Sequence, residues 1–181
     1  MLDQARCIYA KHSEDGASDG GSDGASDGAS RRKALSEWAR CCVQLGDLNV
    51  DQEFWGDAIV EYDACVDAYE RRGGPFDAKE TSRVIAALVG AATAYLRHPE
   101  DGDVVAGKDI VVATPDKRLP NARDLLTAAQ TKLNALLLQL KDETLADDAK
   151  ADVCHLTVEL QAALDLVAAQ DEQTPTAKDH P

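Results

Sequence analysis

The chain has 181 residues, enough for one domain of ordinary size and too few for two large ones. It carries 19 Lys+Arg against 33 Asp+Glu, a formal charge of -14. That balance argues against a surface built to follow a phosphate backbone, which needs clustered cations. Apolar residues make up 44% and aromatics 4%, and the apolar share is rich in Ala and Leu, which points to closely packed helices rather than sheets.

Met1 to His12 reads as a short helix, with Leu2, Ala5, Ile8 and Tyr9 on one side. Its start lacks the basic-then-apolar order of a secretory signal, so no leader is expected. Residues 13–30 follow, in which Asp15 to Ser30 repeats tetrads of the Asp-Gly-Ala-Ser type. Such a stretch has little apolar area to bury against its ordering entropy, and it reads as a flexible acidic insert. Its carboxylates match no calcium-loop spacing.

From Arg31 the helical period returns, and a tetratricopeptide-like helical domain is expected over residues 31–169. Leu35, Trp38, Cys42 and Leu45 form one stripe, with Gly46 behind them. A break near Asn49 to Glu53 leads to a second stripe: Trp55, Ala58, Ile59, Tyr62, Cys65 and Tyr69. Arg71-Arg72-Gly73-Gly74-Pro75 supplies its stop. A third helix runs from about Ala78 to Leu96, and a long loop covers 98–119 with an apolar patch at Ile110 to Val112. Pro120 suits the first turn of a fourth helix reaching about Lys141. The last helix spans about Leu145 to Ala169 with Val153, Leu156, Leu160, Ala163, Leu164 and Val167 on one side, and 170–181 reads as a flexible tail.

Function-bearing motifs are scarce. No run of about 18 apolar residues exists to cross a membrane. Cys7, Cys41, Cys42, Cys65 and Cys154 include no CxxC pair and read as reduced thiols of a cytosolic or nuclear protein. There is no GxSxG, no HExxH and no phosphate-cradling glycine loop. Cys154 and His155 are neighbours, but adjacent helix residues point about 100° apart and cannot serve as nucleophile and base unaided. A protein without enzymatic activity, metal or cofactor is therefore expected.

Helix pairs of this length suggest the 34-residue tetratricopeptide pattern. Gly46 is followed at offsets of 12, 16 and 19 by Ala58, Tyr62 and Cys65, the small, large and small positions of that repeat. A second pair offers Val89-Gly90 and then Ala122, Leu126 and Ala129, with a loop inserted between. An all-α tetratricopeptide-repeat-like array with a C-terminal capping helix is the expected fold. An unrelated Ala-rich bundle could yield the same small and large positions.

The segment from Leu45-Gly46-Asp47 through Phe54-Trp55-Gly56-Asp57-Ala58-Ile59-Val60-Glu61-Tyr62 to Cys65 resembles the third repeat of the NASP (nuclear autoantigenic sperm protein) histone chaperones, whose tetratricopeptide array is interrupted. Met1-Leu2-Asp3-Gln4-Ala5 resembles that family's Met-Leu-Asp-Leu-Ala helix, and the last two helices resemble its fourth repeat and cap. The family's first repeat and acidic interruption would lie upstream of Met1, so the resemblance implies a fragment or a reduced member. The third helix departs from the family, being aliphatic around Val84 to Ala91.

The resemblance implies a histone chaperone that binds histone H3 or H3–H4, touches neither nucleic acid nor membrane directly, and supports histone supply and nucleosome assembly. It also implies a nuclear location, with or without a cytoplasmic pool. It places Asp47, Asp51 and Glu53 on the histone-binding surface. Physically, carboxylates one turn apart at a groove raise the local negative potential and favour Arg and Lys of a partner. Other readings stay open: an ordinary solvated face, a general interaction scaffold with no histone role, or acidity as a device for high salt. A clamp for acidic tails fits less well, because Val43 and Asp47 stand where it would need Lys and Asn. The sequence does not set the oligomeric state.

Overall fold

The computed structural model describes residues 24–73, 75–98, 115–142 and 147–173. The described residues form five helices and no strand: α1 Gly24–Asp51, α2 Trp55–Arg72, α3 Ala78–Arg97, α4 Pro115–Asp142 and α5 Asp147–Gln173. The expected helix at 1–12, the apolar patch at 110–112 and the tail beyond 173 lie outside the described residues. None of the five helices is long and apolar enough to cross a membrane.

The helices form two layers. α1, α3 and α5 lie side by side, and α2 and α4 pack behind them, each element touching the next in sequence. This is the tetratricopeptide-like array, and its register is the one the small positions mark. Ala58, Tyr62 and Cys65 are buried opposite Gly46, and Ala122, Leu126 and Ala129 are buried behind Gly90's helix. Small residues at these points let the backbones approach, and Ala39, Ala68, Ala87 and Ala92 complete a core with no exposed surface at those positions. α5 covers the last pair with Val153, Leu156, Leu160, Ala163 and Val167, an i, i+3, i+7 row.

Helix ends follow local chemistry. α3 opens on a capping box, in which Asp77 accepts from the Glu80 N–H at 2.7 Å and Glu80 accepts from the Asp77 N–H at 3.2 Å. α2 stops at Gly73, whose φ of 63° few other residues adopt.

Two boundaries differ from the sequence reading. α1 begins at Gly24, so the end of the expected flexible insert at 13–30 is helical, and residues 13–23 lie outside the described residues. The helix propagates back from the Arg31–Trp38 segment, aided by Arg32 Nε, which donates to the Gly28 carbonyl at 3.2 Å. Among the described side chains of α1, Leu35 is the first buried hydrophobic one. α4 begins at Pro115, placing Pro120 inside the helix rather than at its first turn and shortening the expected 98–119 loop. Near a helix start the loss of one backbone bond is tolerated. The two sides of that connection are tied by Arg118 Nη1, which donates to the buried His98 carbonyl at 2.7 Å.

Candidate functional site

The inner layer encloses a groove of about 600 Å³. α1 supplies Asp47, Val50 and Asp51 to its wall, α3 forms its middle, and α5 supplies Asp152, His155, Leu156 and Glu159 opposite α1. Tyr62 reaches in from α2 to form the floor.

Tyr62 is placed by two glycines. A Cβ built on Gly46 would lie 2.6 Å from its ring, and one on Gly90 would lie 2.5 Å from it. The ring is therefore clasped between α1 and α3, 3% exposed. Its hydroxyl donates to Asp47 Oδ1 at 2.8 Å. Burial first, then that bond, then the charges of Asp47, Glu159 and Asp51 push the phenol well above its ordinary range, so it stays a neutral donor.

The expected triad is divided. Asp47 and Asp51 both line the groove. Glu53 does not; it is exposed in the turn after α1, with φ of 61°. There its N–H donates to the Val50 carbonyl at 3.0 Å, and Phe54 N–H donates to the Asn49 carbonyl at 2.8 Å. These two bonds form a Schellman stop in which Glu53 takes the left-handed position usually held by glycine.

The third helix also reads differently in three dimensions. Its aliphatic residues Val84, Ile85 and Leu88 face the core. The groove side carries Lys79, Arg83, Ala86, Gly90, Thr93 and Arg97, a separate row at helical spacing. Arg83 Nη1 donates to the Tyr69 hydroxyl at 3.4 Å, and the Arg97 guanidinium sits 5.9 Å from the Trp55 ring centre. The groove thus bears both signs: carboxylates from α1 and α5, cations from α3. Asp152, His155 and Glu159 do not stand out in the sequence, where the buried row dominates the pattern of α5; His155 Nδ1 stands 3.4 Å from Glu159 Oε2.

No group of three metal-ligating side chains occurs among the described residues. Cys41, Cys42, Cys65 and Cys154 are in no disulfide among the described residues, and burial pushes the Cys65 thiol up to about 12. Cys154 and His155 are both exposed.

Fold and groove define the class: a tetratricopeptide-like helical array with a concave groove floored by a tyrosine. No protein-family model, curated protein or solved structure matches the chain.

Proposed function

We propose that the chain is a non-enzymatic binding protein that takes a Lys- or Arg-bearing segment of a protein partner into the α1–α3–α5 groove. The observation that carries this reading is the convergence of Asp47, Asp51 and Glu159 on the Tyr62 hydroxyl, from walls on both sides of one groove. Asp51 has no ion-pair partner among the described residues, so its charge is open to a ligand. A guanidinium or ammonium held there gains charge-assisted hydrogen bonds and exchanges part of its hydration for fixed acceptors.

We further propose histone H3, alone or with H4, as the partner, and a nuclear role in histone supply. Support comes from the resemblance carried by Leu45 to Cys65 and from the acidic groove positions within it. The α3 cations favour a second reading, a scaffold for some other protein segment with no histone role.

The test uses the full chain and H3–H4 at low salt. Binding is expected, and it should weaken as salt rises, because exposed charges are screened over about 10 Å at 0.1 M. Asp47→Asn, Asp51→Asn and Glu159→Gln together should weaken it further. Helicity should stay intact, since the amide oxygen that replaces the Asp47 carboxylate can still accept from Tyr62. Neutralising Glu70, Asp124 and Glu172, which lie outside the groove, is the control for bulk charge. Equal losses in both variants would remove the groove from the account. Absence of histone binding alongside groove-dependent capture of an Arg-bearing peptide would select the scaffold reading.

A further inference from the structure

α1 is the first described helix of the array, and among the described helices it touches α2 and α3. Gly46 faces α2, with Ala39 and Cys42 buried on the same side, and Ser36 reaches Glu80 of α3. Another side of α1 carries Trp38, Cys41, Leu45 and Leu48, a row at i, i+3, i+7 and i+10. At about 100° per residue, the middle of that row lies about 160° round the helix from Ser36, so it points away from α3 and from the groove. Trp38 leans on the core, Cys41 and Leu45 are half-buried and stand outside the core, and Leu48 is 48% exposed.

α3 shows what such a row is for. It lies between α2 before it and α4 after it. There the row of the same spacing, Val84, Ala87, Ala91 and Ala94, is buried. In stacked helical arrays each unit covers its neighbour in sequence, and every described helix here touches the next. The neighbour of α1 on its open side is therefore the chain that precedes it. That chain carries Leu2, Ala5, Ile8 and Tyr9 on one side at helical spacing.

We propose that residues 1–12 dock as an amphipathic helix, antiparallel to α1, on the row from Trp38 to Leu48. The lengths agree. The row spans ten positions, about 15 Å, and a helix of twelve residues is about 18 Å long. Trp38 lies 14 positions beyond Gly24, about 21 Å along α1. Residues 13–23, between the two, can extend over roughly 36 Å, enough to return the chain. A second copy of the chain fits less well, because an interface between folded partners buries about 800 Å² on each, more than one row of four partly covered side chains provides. A tethered segment needs less, since its effective concentration is already on the order of millimolar. The docking is independent of what the groove binds: Asp47 and Asp51 stand on the groove side of α1.

Cys41 lies within the row and reports on its cover. The full chain is pulsed with N-ethylmaleimide and the modified cysteines are mapped by mass spectrometry, with exposed Cys154 as the internal reference. Leu2→Glu with Ile8→Glu should speed modification of Cys41 relative to Cys154 by about fivefold or more. Gln4→Glu with Cys7→Glu adds the same charge away from the apolar side of residues 1–12 and should leave the Cys41 rate unchanged. Buried Cys42 and Cys65 should stay slow throughout. If they speed up with Cys41, the milder Leu2→Ala with Ile8→Ala decides on the same criterion. A Cys41 rate that does not respond to the change at Leu2 and Ile8 overturns the proposal, and so does an equal response to the change at Gln4 and Cys7. Protection of Cys41 that fades on tenfold dilution overturns it too, because a second copy would then be the cover.

Discussion

The ring of Tyr62 occupies the space that a side chain on Gly90 would need: an ideal Cβ there lies 2.5 Å from Tyr62 Cζ. Gly46 closes the other side at 2.6 Å, and the hydrogen bond to Asp47 fixes the far end of the ring. The ring therefore has no direction in which to yield. Gly90→Ala should destabilise the fold by about 1–3 kcal/mol through overpacking, although Ala is the better helix former by about 1 kcal/mol. Gly46→Ala should behave alike. Gly28→Ala is the control, because nothing lies within 4 Å of its Cβ position and it should be neutral or stabilising. Urea unfolding of the three variants is the measurement, and a stabilised Gly90→Ala would contradict the clasp.

Glu53 sits at φ 61° as the stop of α1. A side chain in that left-handed conformation is strained by about 1 kcal/mol relative to glycine. Glu53→Gly should therefore raise stability by up to about 1 kcal/mol, despite the greater freedom of glycine in the unfolded chain. Because Glu53 lies outside the groove, the same substitution should leave partner binding nearly unchanged, apart from one unit of bulk charge. A loss of binding as large as that from Asp51→Asn would return Glu53 to the site.

The array and its register were legible because each repeat needs small residues where backbones meet, and Gly46, Ala58 and Cys65 can be found by counting. The groove was half legible. Asp47 and Asp51 share one face of one helix, so spacing alone brings them together. Glu53 could not be separated from them by sequence, since its removal from the groove depends on a backbone reversal that usually advertises itself with glycine. Glu159 and Asp152 reach the groove through the packing of α5 on α3, a contact between elements distant in the chain. The α3 cations were recoverable in principle: Lys79, Arg83, Gly90 and Arg97 keep helical spacing opposite the aliphatic row, but that row dominates the pattern of the segment.

Three helices meet at Glu80, which is 8% exposed. Its carboxylate accepts from Arg72 Nη1 at 2.8 Å, from Ser36 Oγ at 3.0 Å and from the Asp77 N–H at 3.2 Å. Arg72 in turn lies 5.7 Å from the Phe76 ring centre, and Phe76 meets Tyr69 edge to face. Glu80→Ala should destabilise by about 3 kcal/mol or more, since it strands a largely buried guanidinium and breaks the capping box. Ser36→Ala should cost only about 1 kcal/mol. A double-mutant cycle between the two measures the link from α1 to α3 directly, and additivity would deny it.

Asp63 gives the chain a pH dependence of unusual sign for a carboxylate. It stands one turn from Asp67 on α2, near Tyr95. Partial desolvation first, and the Asp67 charge second, push its carboxyl up to about 6 from an ordinary value near 3.8. The folded state therefore binds this proton more tightly than the unfolded chain does. Its stabilising contribution is complete below the unfolded value and is lost as pH rises through about 6. Between about pH 4 and 6 this group alone lowers the melting temperature with rising pH, while carboxylates held by cations act in the opposite direction. The difference between Asp63→Asn and the unmodified chain isolates it. The variant should melt higher above pH 6, and its advantage should shrink towards pH 4. Asp63 is solvent-exposed at the edge of α2, which reduces the size of the effect but not its sign. An advantage that stays constant across this range would mean that Asp63 titrates alike in both states.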